Sequence, residues 1–168
     1  ITKMELPDKS KVWLNAGSSL RYPSRFTGNE RNVYLSGEGY FEVQSDKQNP
    51  FYVSVNDNMK IMAHGTKFNV NAYGDEQWIE TTLETGLVDV IMNKQSVLLE
   101  PSELAYYDRS NQKLSIRPVN VDEKTAWKDG RLIFRNTSLD EVVKQLSRRY
   151  NVDIVMHKRT NIDYKCRA

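Results

Sequence analysis

Through the first 117 positions, apolar residues return at every second place, and nowhere does a 3.6-residue apolar stripe persist for three turns. A period of two belongs to half-buried strands, whose successive side chains point to opposite faces. Phe51, Val53 and Val55 alternate with Tyr52 and Ser54. Phe68, Val70 and Ala72 repeat the pattern, as do Val88, Val90 and Met92, and Val12/Leu14, Val33/Leu35 and Phe41/Val43 are shorter versions. Turn formers separate these runs at Pro7-Asp8-Lys9, Asn15-Ala16-Gly17, Ser36-Gly37, Asn56-Asp57-Asn58, Gly74-Asp75, Thr85-Gly86, Asn93-Lys94 and Ser110-Asn111. Residues 1–117 are therefore expected to form an all-β domain. Many short strands suit a sandwich, a barrel or a short solenoid. Because few connections look like two-residue hairpins, a solenoid-like stack is expected, with a sandwich as the alternative.

At about residue 118 the rhythm changes. Pro118 should end the last strand, and Val121 to Trp127 can make one or two helical turns before the Asp129-Gly130 turn. Arg131 to Asn136 alternates again, with Leu132 and Phe134 on one side. Ser138 followed three residues later by Glu141 is a capping box, and it opens the only strong amphipathic helix. Leu139, Val142, Val143, Leu146 and Tyr150 mark its apolar face, expected to pack on Leu132, Phe134, Val152 and Ile154. Asp140 and Lys144 are placed for a favourable pair, Arg148 and Arg149 complement the dipole in the last turn, and Asn151 closes the helix. Val152, Ile154 and Met156 read as the next strand. Residues 118–168 thus form a partial β-α-β (α+β) unit, with 11 basic and 7 acidic residues against 13 and 15 before it.

A chain of 168 residues has room for one domain and part of another. The net charge of +2 rests on balanced acids and bases, which gives no support for a nucleic-acid groove. Cys166 is the single cysteine, so the chain holds neither an internal disulfide nor a thiolate metal site. There is no run of about 18 apolar residues and no signal peptide. The chain opens on Ile-Thr-Lys-Met and is read as an excerpt of a longer protein.

Catalysis, a metal and a cofactor are not expected. His64 and His157 are the only histidines and lack zinc spacing. Glu38/Glu42 and Glu80/Glu84 share strand faces, but four residues along a strand span about 13 Å, and a solvated face explains both pairs. Trp13, Trp78 and Trp127, with Tyr106 and Tyr107, offer a rival reading as the stacking platform of a carbohydrate-binding module. Against it, Trp13 and Trp78 lie in strand patterns where core positions are expected, and Trp127 is placed to staple the two domains together. An envelope scaffold is a further alternative.

Five stretches, in order and spacing, carry a resemblance: LPDKSKVWLNAGSSLRYPSRF (6–26), RNVYLSGEGYFEVQSDKQNPFYV (31–53), HGTKFNVNAYGDE (64–76), TTLETGLVDV (81–90) and LLEPSELAYYD (98–108). They resemble the FecR domain of Bacteroidetes-type periplasmic anti-sigma factors, with Lys9 where that family commonly has Gly. Residues 127–156 resemble the domain that follows, which is similar to the short N-terminal domain of secretins and TonB-dependent receptors; only its first half is present. The resemblance implies a periplasmic region of a protein that spans the inner membrane once and is not an enzyme. It implies contact with the signalling domain of an outer-membrane TonB-dependent receptor, and a sigma factor held by a cytoplasmic segment absent from this chain. The residues expected to meet a partner are Arg131 and Arg135 on the basic strand face, with Val152, Ile154 and Met156 along a strand edge.

Overall fold

The computed structural model describes residues 1–55, 59–93, 95–156 and 165–167, so His157, the Asn56-Asp57-Asn58 turn signal and Lys94 lie outside it. Twelve strands precede the first helix: β1 (Thr2–Glu5), β2 (Lys11–Leu14), β3 (Ser19–Arg21), β4 (Arg31–Glu42), β5 (Phe51–Ser54), β6 (Met59–Ala63), β7 (Lys67–Ala72), β8 (Trp78–Thr85), β9 (Val88–Met92), β10 (Gln95–Leu99), β11 (Glu103–Asp108) and β12 (Lys113–Pro118). They bond in the order β10-β9-β6-β5-β4-β7-β8-β11-β12, with β2 and β3 also on β4 and β1 on β2. Among the described residues, only the β4–β5 pair is parallel. β10 approaches β11 and β12 without joining their ladder, so the sheet rolls into a nearly closed barrel. The expected solenoid-like stack is not what forms. The link 43–50 carries the chain back along β4 to its parallel neighbour β5, and the other bonded neighbours pair antiparallel.

β4 is the strand both halves share. Its first half pairs with β3 and β5, its second with β2 and β7. Gly37 sits at the change-over with φ 91°, where a Cβ would collide with Ser18. Ser18 Oγ accepts from the Glu38 N–H at 2.8 Å and fixes the corner. The inward positions close over one core that includes Val12, Val33, Phe41, Phe51, Ile61, Phe68, Ile79, Leu83 and Val90. The rings of Phe41 and Phe68 stack at 5.2 Å between centroids. Each such side chain contributes roughly 1.5–3 kcal/mol by leaving water.

After Pro118 the chain crosses the outer face of the β4–β7–β8 half. Asn120 caps α1 (Val121–Thr125), a 3-10 turn follows at Ala126–Asp129, and Gly130 stops it with φ 80°. β13 (Arg135–Ser138) then pairs antiparallel with β14 (Lys165–Arg167), and α2 (Leu139–Tyr150) runs between them in sequence. The expected capping box is formed and Asn151 ends the helix with φ 52°. Three expectations fail here. The strand over Arg131 to Asn136 begins only at Arg135, and Val152 to Met156 is not a strand. Tyr150, Val152 and Ile154 do not join a core: they are 64%, 47% and 40% exposed. The two-stranded β13–β14 sheet is too narrow to cover the whole helix face, and among the described residues after Gly130 only Phe134 and Val142 reach core burial.

Candidate functional site

The strands β4, β7 and β8 alternate strictly, so their outward positions form a polar row. In register, Glu38 lies opposite Asn71, Asn71 opposite Glu80, and Glu80 opposite Tyr106 of β11. One pleat along, Tyr40, Asn69 and Thr82 make a parallel row. Sequence reasoning placed Glu38 and Glu80 on a solvated face. Both are instead buried, because α1 and the 3-10 turn lie across them. Trp127 donates from Nε1 to Asn69 Oδ1 at 3.1 Å, which is the expected staple. Lys124 reaches Glu80 at 2.6 Å, and the Lys128 ammonium lies 5.0 Å from the Tyr40 ring centroid.

Beneath this cover Glu38 accepts from Asn15 Nδ2 at 2.7 Å and from Asn69 Nδ2 at 2.9 Å. Burial pushes its carboxyl up from 4.5 to about 7, although those two amides and Lys124 pull the other way. Asn69 therefore joins a strand carboxylate to the linker tryptophan through the two ends of one amide.

The C-terminal unit is held differently. Arg148 of α2 donates to both carboxylate oxygens of Asp75 at 2.8 Å and to Glu76 at 2.7 Å, and its guanidinium lies 3.9 Å from the Tyr73 ring centroid. Lys144, one turn earlier, donates to Glu76 at 3.1 Å and to the Asp75 carbonyl at 3.0 Å. Partial burial works against charge on Arg148, but the two carboxylates raise its pKa further. Asp75 is correspondingly lowered by Arg148 against the opposing effect of burial, and burial pushes the Tyr73 hydroxyl up to about 12. The link between β7 and β8 and one face of α2 thus form an ionic clamp.

Clamp and staple leave a gap between them. A cleft of about 450 Å3 opens between the outer face of the strand body and the segment from Arg131 through α2. Asn71, Glu80, Trp78 and Tyr106 lie along its floor, and Gln145 and Arg148 along its roof. Trp78 and Tyr106 stack at 6.5 Å, and Arg117 lies 3.8 Å from the Tyr106 centroid. Trp78 and Trp13 are half-buried on the outer face rather than in the core, because their strand parity is that of Glu80 and Tyr40. Among the described residues, no group of three or more His, Cys, Asp or Glu could hold a metal ion.

The residues expected to meet a partner do not converge. Arg131 pairs with Asp122 at 2.8 Å and Arg135 with Glu123 at 3.3 Å, both acids belonging to α1. Val152 and Ile154 are exposed beyond α2, outside any strand, and Met156 is half-buried. Sequence reasoning missed the clamp, the cleft and the buried Asn15–Glu38–Asn69 relay. The one available signal was the basic cluster Lys144/Arg148/Arg149 on a helix, with an acidic Asp75-Glu76 turn elsewhere.

The profile of the family described as FecR protein matches residues 1–89, and that described as FecR, C-terminal matches residues 131–168. No curated protein matches the chain. Two crystal structures of a proposed anti-sigma factor from Parabacteroides distasonis ATCC 8503, at 1.65 and 2.50 Å resolution, are similar to it. Each is 32% identical, with 99% of this chain and 78% of that chain covered, at TM-scores of 0.93 and 0.92.

Proposed function

This chain belongs to the FecR family, and we propose that it is the signal-receiving region of an anti-sigma factor, working by protein contact and outside the cytoplasm. The likeness to a proposed anti-sigma factor along 99% of the chain supports that role. In this reading residues 1–117 are the stalk domain and residues 118–168 the receptor-facing unit, similar to part of a secretin-type short domain. The partner is the signalling domain of an outer-membrane TonB-dependent receptor, met in the periplasm. A cytoplasmic segment outside this chain holds the sigma factor, joined through one inner-membrane helix. None of the described helices is long and apolar enough to cross a membrane. The family is regulatory, and the reading assigns the chain no catalysed step.

The observation that carries the contact surface is the exposed run after α2. Tyr150, Val152, Ile154 and Val155 are all exposed, the last 75%, and residues 152–156 are bonded into no ladder. Exposed apolar side chains on a segment that belongs to no ladder are what strand addition by a partner can use: the main chain supplies affinity and alternate side chains supply specificity. Met156 extends the run, and Arg131 and Arg135, paired with Asp122 and Glu123, would contribute charge elsewhere on the same unit.

Titration calorimetry with the isolated signalling domain of the cognate receptor tests the reading. Saturable binding is expected, weakened at least about tenfold by Val155→Asp, since a charge would be buried in the new strand pair. Two folded proteins that do not bind would remove the receptor as partner.

A further inference from the structure

We propose that the cleft between the outer face of β7, β8 and β11 and the overlying α2 segment is a binding site for a neutral saccharide of one or two rings. A sheet face covered for structural reasons alone presents apolar side chains to its cover. This face presents Glu38, Asn71, Glu80 and Tyr106, and the cover leaves about 450 Å3 between them. Small-molecule sites span roughly 300–1,000 Å3.

The lining selects the class of ligand. Most of its charges are paired within the protein: Lys124 with Glu80 at 2.6 Å, Arg148 with Glu76 at 2.7 Å, Arg131 with Asp122 at 2.8 Å and Arg135 with Glu123 at 3.3 Å, while Arg149 donates to the Gly130 carbonyl. A charged ligand seated on any of these pairs would have to break it, whereas a neutral polar one would not. Trp78, stacked at 6.5 Å on Tyr106, supplies an aromatic surface of the kind that receives the C–H face of a sugar ring, while Tyr106 itself is covered by the Arg117 guanidinium 3.8 Å from its centroid. Asn71 supplies the polar contact. Its Oδ1 is buried and accepts no hydrogen bond, an arrangement that native proteins rarely leave in place. Asn71 lies in register between Glu38 and Glu80. A half-turn of the amide, a soft torsion, aims Nδ2 at those carboxylates and brings Oδ1 into the cleft, where a ligand hydroxyl donates to it. Floor and roof come from different parts of the chain, so an occupant would also bridge them. The site stands independently of the signalling reading.

The test is titration calorimetry and tryptophan fluorescence on the full chain, with glucose, galactose, N-acetylglucosamine, maltose and cellobiose as probes at millimolar concentration. At least one should bind saturably. Trp78→Ala and Asn71→Ala should each weaken it by about tenfold or more. Asn71→Ala should still fold, because the side chain is half-buried and its Oδ1 accepts no hydrogen bond; this variant carries the test if Trp78→Ala fails to fold. Absence of binding by all five sugars, or binding that survives Asn71→Ala unchanged, overturns the proposal and leaves a water-filled gap.

Discussion

The strand body and the C-terminal unit are built from chains of similar apolar content but are held by different forces. In the body, Phe41, Phe51, Phe68, Ile61 and Leu83 are fully buried, and the hydrophobic effect acts without direction over one continuous core. In the unit, Phe134 and Val142 are the deepest apolar side chains beyond Gly130, and each keeps a little contact with water. What the unit lacks in core it replaces with Trp127 at its root and the Arg148–Asp75–Glu76 clamp at its far end. A small α+β unit with so little apolar burial has a narrow margin of stability of its own. It therefore depends on being docked, and docking through charge can be reversed by salt or by a competing partner in a way that core packing cannot.

The contrast can be broken most severely in the body. Phe41→Ala should cost about 3–5 kcal/mol and unfold the body and the docked unit together, read as one shifted transition in urea. Trp127→Ala should cost about 3 kcal/mol, but locally: hydrogen exchange over residues 131–156 should accelerate while β7 and β8 stay protected. If β7 and β8 lose protection too, body and unit form one cooperative block and the contrast fails.

A pH series sharpens the comparison from within the cover. The raised Glu38 carboxyl favours the folded state in its protonated form, so its contribution is fully present below its ordinary pKa of 4.5 and disappears as pH rises to about 7. The loss is about 3 kcal/mol. Measured as the difference between wild type and Glu38→Gln from pH 4.5 to 8, the slope should vanish in the variant; parallel curves would mean that Glu38 is solvated. Arg148→Ala is next, at about 1–2 kcal/mol of docking, since its side chain is 16% exposed and Glu76 6%. Molar salt should make wild type behave like the variant in hydrogen exchange of α2. Smallest is Leu146→Ala: half-buried in the unit, it should cost about 1 kcal/mol or less, not the value of a core leucine.

Much of this was legible in the sequence. Period-two alternation located most of the strands of the body because each is long enough to show which side faces the core, and the capping box placed α2 because Ser138 and Glu141 are local partners. Trp127 was legible as a staple because it stands in the link between two patterns. The clamp was not, since Lys144 and Glu76 are separated by 68 positions and no periodicity joins them. Glu38 and Glu80 were misread as solvated because alternation tells which face a residue takes and not whether that face is later covered. Tyr150, Val152 and Ile154 erred in the opposite sense: their pattern was apolar, but the two-stranded sheet is narrower than the face they extend.

β4 has a consequence for the order in which the molecule assembles. It is bonded to β2, β3, β5 and β7, so strands spread from Lys11 to Ala72 close on one shared backbone. Of these ladders, β3–β4 joins consecutive antiparallel strands, while those with β2, β5 and β7 join residues further apart in the chain. The average sequence distance between bonded partners is therefore high, and chains of that kind fold on the millisecond-to-second scale in a late cooperative step. During synthesis the stretch through β4 and β5 leaves the ribosome with β4 unpaired on its β7 side, an open apolar edge until Lys67–Ala72 arrives. The shared strand that makes the finished barrel a single body also makes the half-made one its most vulnerable form.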